Sequence, residues 1–223
     1  YLIRESHWGK HCLAPETAEI VHSELEKQEI NMHTNTEAKE FQERDGKVCE
    51  IVTNNGEHDC DIVVVCIGLE RNLDFLEGSG IETNRGIVTD KFLETNKRDI
   101  FAAGDIAEYY DVILDEKMVN GSWPSAKKQG EIVASNILGD KKPFKFVNAH
   151  NISHFDIDVM TLGDVWLNNS KETFVKKEGD SCIQLMGENG EIVGAVLVND
   201  LVAVPKVKNA IKEGKSIKEF RNS

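Results

Sequence analysis

The sequence predicts an α/β fold, and two observations carry that prediction. Two unbroken apolar runs, 61–68 (DIVVVCIG) and 99–105 (DIFAAGD), end in Gly and in Gly-Asp, as strands of a parallel sheet covered on both faces do. From about residue 146 the pattern changes to short strand-like runs separated by turns, which predicts an antiparallel sheet with a helix. A chain of 223 residues is long enough to bury a core in each of these parts.

Residues 1–4 (YLIR) read as the carboxyl end of a buried parallel strand. A chain rarely starts inside a strand, so a preceding segment is expected. Pro15 suits a first-turn helix position, Glu16 and Glu19 favour the positive helix start, and Ala18, Val21 and Leu25 follow at helical spacing. A helix is therefore predicted over 15–29, then a short strand over 30–34. Residues 38–44 and 47–53 flank Asp45-Gly46 and are followed by Asn54-Asn55-Gly56, a strand–turn–strand–turn meander. After the run at 61–68 come a short strand at 86–89, the run at 99–105, and a helix from Trp123-Pro124 to about Leu138 with Gly139 beyond it. Strands over 153–162, 172–177, 182–186 and 192–198 and a short basic helix over 205–212 complete the reading.

A formal net charge of −13 argues against a nucleic-acid or anionic-membrane surface, since both require clustered Lys and Arg. No apolar run approaches the roughly 18 residues of a membrane span. The 5 cysteines (12, 49, 60, 66 and 182) form no CxxC or CxxxxC pair and no zinc spacing. They read as structural or surface thiols of a reducing compartment, and a cytoplasmic location is expected. His7 and His11 lack the further ligands a metal site needs, so no metal is expected, and no G-x-S-x-G elbow is present. The basic stretch 206–218 reads as a solvated helix face.

Gly104 and Asp105 form the sharpest local feature. An Asp at the carboxyl end of a parallel strand stands where open α/β sheets bind ligands, and its carboxylate accepts hydrogen bonds from ligand hydroxyls. Gly104 removes the side chain that would block a bound polyol. The same pair also serves as an ordinary cap of the following turn. Trp123 has two readings as well: a helix-start residue at a site, or a packing anchor.

Four segments in order carry a resemblance: DIVVVCIGLERN (61–72), GIVTD (86–90), TNKRDIFAAGD (95–105) and WPSAKKQGEIVASNILG (123–139). Together they resemble the pyridine nucleotide–disulfide oxidoreductase superfamily, and within it the NADH:rubredoxin reductases, NADH oxidases and the flavin part of nitrite reductases. The resemblance implies partial Rossmann-like FAD- and NAD(P)-binding domains with a carboxy-terminal antiparallel α+β cap. Residues 1–72 would be the rear of the NAD(P)-binding domain, 73–145 the rear of the FAD-binding domain, and 146–223 a cap that covers the flavin and often builds a subunit interface. It implies that Asp105 holds the FAD ribitol with Gly104 making room. Ser122, Trp123 and Pro124 would bring a helix amino terminus to the flavin ring, where negative charge develops on reduction. Gly68 would lie beside the bound NAD(P)H. Arg4 and Glu5 would meet the adenosine ribose, Arg4 suiting a 2′-phosphate and Glu5 a 2′-hydroxyl. The two point opposite ways, and the subfamilies favour NADH.

The implied reaction is hydride transfer from NAD(P)H to FAD, then electron delivery to rubredoxin, a nitrite reductase centre, ferredoxin or oxygen, in a monomer or homodimer. The cofactor carries the chemistry, so no catalytic acid or base is named. Three departures stand beside the resemblance. Neither G-x-G-x-x-G phosphate loop is present, no CxxxxC pair is present, and Arg71-Asn72 stands where the family has Pro-Asn. The alternative is therefore a non-catalytic fragment or interaction module.

Overall fold

The structure, a computed structural model, describes residues 1–168 and 170–222. Helix α1 (Pro15–Lys27) starts on Pro15 with Glu16 in its first turn and Lys27 in its last, each matching the helix dipole. Strands β1 (Ala38–Arg44), β2 (Lys47–Thr53) and β3 (Gly56–Asp59) form an antiparallel sheet in chain order, with the turns at Asp45-Gly46 and Asn54-Asn55 as the sequence predicts. A second small sheet pairs β4 (Ile87–Val88) parallel with β5 (Ala107–Asp111), which pairs antiparallel with β6 (Glu116–Val119). Helix α2 (Trp123–Ile137) follows.

The carboxy-terminal sheet is built from β7 (Ala149–His154), β8 (Ile157–Gly163), β9 (Glu172–Glu178), β10 (Ser181–Glu188) and β11 (Glu191–Val198). Its order is β7-β8-β11-β10-β9, and every pairing is antiparallel. Helices α3 (Val204–Glu213) and α4 (Ile217–Arg221) close the chain.

Side chains of β11 alternate between two cores. Ile192, Ala195 and Leu197 join Val207, Ala210, Ile211 and Ile217 of α3 and α4, while Val196 and Val198 join Ala18, Ile20 and Val21 of α1. The period of two, shifted once by the bulge at Val193, thus sandwiches the sheet between helices. On the α1 face the polar Gln184 is fully satisfied: Ala14 N–H donates to its Oε1 and its Nε2 donates to the Cys12 carbonyl, both at 2.8 Å. Gly194 lies in the middle of β11 because a Cβ there would fall 1.9 Å from the Asp164 carbonyl oxygen.

Four expectations need correction. Residues 61–68 are not a buried strand: no element covers them, and Ile62, Val64, Val65 and Ile67 are exposed. A strand is held by ladder hydrogen bonds to a neighbour, and among the described residues nothing pairs with this stretch. Residues 99–105 are not a parallel strand either. Asp99 has φ 62° and Gly104 φ 86°, which break the extended run, and residues 93–102 fold into a tight antiparallel loop through Thr95 N–H to Ile100 O and Ala102 N–H to Leu93 O. The Gly-Asp pair accordingly precedes the parallel strand β5 instead of ending one. Residues 1–4 and 30–34 meet in a single parallel bridge, Leu2 to His33. Finally, the strand expected over 153–162 is a hairpin, β7 to β8, with Phe155 at its tip. Among the described residues no helix is long and apolar enough to cross a membrane.

Candidate functional site

The turn holding Gly104 and Asp105 is fastened to the first turns of α2. The left-handed φ of 86° at Gly104 favours glycine, and its N–H donates to Gln129 Oε1 at 2.7 Å. Gln129 is fully buried and donates from Nε2 to Ser125 Oγ at 3.1 Å, so one side chain ties the turn to the helix start. A Cβ at Gly104 would meet only Ala126, at 3.7 Å, so the glycine is required by backbone conformation, with crowding secondary.

Asp105 is exposed and its carboxylate faces Gly121: a Cβ built there would lie 3.4 Å from Oδ2. Among the described residues that carboxylate has no hydrogen-bond or ion-pair partner, although its backbone carbonyl accepts from Arg71 Nε. Ser122 is the N-cap of α2 and its Oγ accepts from the Ser125 amide at 3.3 Å. Pro124 has no amide to offer, so among the described residues the Trp123 N–H is a first-turn donor left open. Trp123 is 77% exposed with Lys127 Nζ over its ring at 5.6 Å, which rules out the packing-anchor reading. The structure therefore brings Gly104, Asp105, Ser122, Trp123 and Pro124 together: a free carboxylate beside a helix amino terminus, open to solvent.

Below this surface sits Tyr109 of β5, fully buried and packed edge-on against Phe144 with ring centroids 4.9 Å apart. Asn148 Nδ2 donates to its hydroxyl at 2.8 Å, and burial pushes the phenol up from 10 to about 12. Burial likewise raises the carboxyl of Asp111 at the other end of β5. A buried layer built on Tyr109, Phe144 and Asn148 thus supports the turn from beneath.

The remaining expected residues lie elsewhere. Arg4 donates from Nε and Nη2 to Glu5 Oε1 at 3.1 and 3.0 Å, and this contact holds the Glu5 carboxyl below the usual range. The two opposed cofactor signals are bound to each other. Gly68 has φ 114° and nothing within 4 Å of a built Cβ. Three residues later, Arg71 reaches the Asp105 backbone, so the departure from the family's Pro-Asn is a contact to the site. Gln129 belongs to no motif, though its i, i+4 spacing from Ser125 on a helix is a legible signal. Tyr109 and Asn148 meet only through the fold.

Residues 2–130 match the family described as pyridine nucleotide-disulphide oxidoreductase, and residues 149–215 match the rubredoxin NAD+ reductase C-terminal domain. The NADH-rubredoxin oxidoreductase of Clostridium acetobutylicum is 29% identical over 155 residues, which cover 69% of this chain and 39% of that protein. The rubredoxin-NAD(+) reductase of Acinetobacter baylyi is 42% identical over 71 residues, covering 31% of this chain and 18% of its own. Among solved structures, a ferredoxin reductase of Rhodopseudomonas palustris superposes with a TM-score of 0.85 at 25% identity, covering 97% of this chain and 54% of that one. Putidaredoxin reductase in its covalent complex with putidaredoxin gives 0.86 at 20% identity, over 96% of this chain and 52% of that one, a likeness of fold. The chain thus spans well under half the length of the curated relatives it matches.

Proposed function

We propose a function that starts from one fact: this chain belongs to the pyridine nucleotide-disulphide oxidoreductase family. It supplies part of an FAD-dependent NAD(P)H oxidoreductase. FAD, when bound, would accept hydride from NAD(P)H and pass electrons to an acceptor. The chain's own residues hold and orient that group. The Asp105 carboxylate accepts from the hydroxyls of the ribitol chain, and Gly104 sets the turn through its left-handed φ and its bond to Gln129. The α2 amino terminus, capped by Ser122 and followed by Trp123 and Pro124, puts its partial positive charge where the ring gains electrons. Gly68 and the pair Arg4 and Glu5 belong to the nicotinamide dinucleotide side.

Residues 1–72 serve the NAD(P)-binding domain, 73–145 the FAD-binding domain and 146–223 the cap. The separation of β1–β3, β4–β6 and β7–β11 into three sheets supports this division. The similarity of residues 149–215 to a rubredoxin reductase domain favours a small redox protein of the rubredoxin class as acceptor over oxygen or a nitrite reductase centre.

The observation that carries this reading is the free Asp105 carboxylate held against the start of α2. Incubated with FAD and desalted, the chain is expected to stay yellow and to bleach anaerobically with NADH. Asp105→Ala then lowers flavin affinity about 10- to 100-fold, the loss of charge-assisted hydrogen bonds. A second reading, a non-catalytic piece, is favoured by the exposure of residues 62–69, which leaves the nicotinamide side open. A chain that never retains flavin supports that reading, and equal retention by Asp105→Ala removes the assignment of this carboxylate.

A further inference from the structure

We propose that Cys49 and Cys60 are a redox pair that closes a disulfide across the β2–β3 hairpin when the chain meets a low-molecular-weight disulfide. Eleven positions of sequence separate them, and the fold sets them face to face. In the β2–β3 register Glu50 is opposite Asp59, so the next pair outward is Cys49 opposite Cys60, and the Cys60 N–H donates to the Cys49 carbonyl at 3.0 Å. Directly opposed residues of an antiparallel pair send their side chains to the same face, and a hydrogen-bonded pair has Cα atoms about 5.5 Å apart. A disulfide spans Cα separations of roughly 4.4–6.8 Å, most often near 5.5–6 Å, so a pair in this register lies within disulfide reach.

Both thiols are free and half-buried, within reach of a small reagent. Cys49 Sγ–H leans on the Gln42 carbonyl of β1 at 3.6 Å, a contact it gives up when it turns to Cys60. The other cysteines are placed differently. Cys182 is buried against Thr17 at 3.4 Å, Cys12 belongs to the α1 core, and Cys66 is exposed on the unpaired stretch.

The step balances as thiol–disulfide exchange. One protein thiolate attacks the reagent disulfide and expels one small thiolate, leaving a mixed disulfide. The opposed cysteine, as thiolate, then attacks the protein sulfur of that bond and expels the second. Two electrons pass from the two protein thiols to the reagent, and their two protons go to solvent or to the thiolates released. Burial, with Cys49 and nearby carboxylates adding to it, raises the Cys60 thiol, so thiolate is scarce at neutral pH and closure accelerates as pH rises. The staple would lock the hairpin one residue before Asp61, where the stretch leading to Gly68 begins.

The test uses the chain carrying Cys66→Ser, which removes the exposed competitor and leaves 4 thiols of the original 5. Treatment with oxidised glutathione, then thiol counting after denaturation, is expected to show a fall from four thiols to two, and peptide mapping to show Cys49 joined to Cys60 with no bound glutathione. The rate should rise with pH, and adding Cys49→Ser should leave a stable glutathione adduct on Cys60. Persistence of all four thiols, a lasting adduct on Cys60 with Cys49 present, or a bond between two chains would each overturn the proposal.

Discussion

Residues 191–198 (EIVGAVLV) and 61–68 (DIVVVCIG) are equally long and similarly rich in β-branched apolar side chains, yet Leu197 is 0% exposed and Ile67 93%. The first is β11, with β8 and β10 hydrogen-bonded on its two edges and helices against both faces. The second has no ladder on either edge among the described residues. An apolar run states a demand for burial on both faces. Whether it is met depends on neighbours far away in the chain, and whether those run parallel or antiparallel is not written in the run itself.

The comparison can be broken most directly by trimming one side chain in each stretch. Leu197→Ala should cost about 2–5 kcal/mol in urea unfolding, because a cavity opens between the sheet and α3. Val64→Ala should change stability by less than about 0.5 kcal/mol, since Val64 has nothing to lose to solvent. Amide exchange should follow the same order, with residues 194–198 protected and 62–68 exchanging at unfolded rates. Equal costs for the two substitutions would mean that 61–68 is paired in solution.

The same contrast explains what the sequence disclosed. Elements closed by local signals were legible: Pro15 opening α1, Asp45-Gly46 joining β1 to β2, and Pro124 beside the Ser122 cap opening α2. Elements defined by distant pairing were not. β5 and β6 went unread because AEYYD and EKMV carry little apolar signal, and their ladder is formed only in the fold. At the site, Gly104, Asp105 and Ser122 are legible as a motif and Gln129 is tied by spacing to Ser125, whereas the bond from Gln129 to Gly104 and the contacts of Tyr109 arise only in the fold. DIFAAGD reads as a parallel strand that ends in Asp105, and the left-handed Asp99 is a local break that its residue types do not signal.

An alkaline titration ranks the middle sheet between these extremes. Tyr109 is protonated more tightly in the folded chain, with its pKa at about 12 against 10 for an ordinary tyrosine. Its contribution is therefore complete below pH 10 and is lost as pH rises from 10 towards 12, roughly 2–3 kcal/mol in all. Unfolding free energy measured across that range should fall by this amount, and Tyr109→Phe should remove most of the slope. Tyr110 is also raised, by its hydrogen bond to Asp115, but it is not desolvated to the same degree and leaves a smaller residual slope. An undiminished slope in Tyr109→Phe would place the wet–dry boundary elsewhere.

The smallest expected effect separates the site from the cap. Gln129→Ala leaves the Gly104 N–H without its acceptor and Ser125 Oγ without its donor, a cost of about 1–3 kcal/mol. Neither core that encloses the cap sheet contains Gln129, so protection of residues 194–198 against exchange should not change. The Gly104 turn should loosen instead, with faster exchange of residues 103–106 and weaker flavin retention even though the Asp105 carboxylate is intact. That combination is what a positioning residue produces. Loss of protection in β11 as well would mean that the turn and the cap unfold as one cooperative unit, and the contrast between a self-sufficient sheet and a dependent nucleotide side would have to be redrawn around α2.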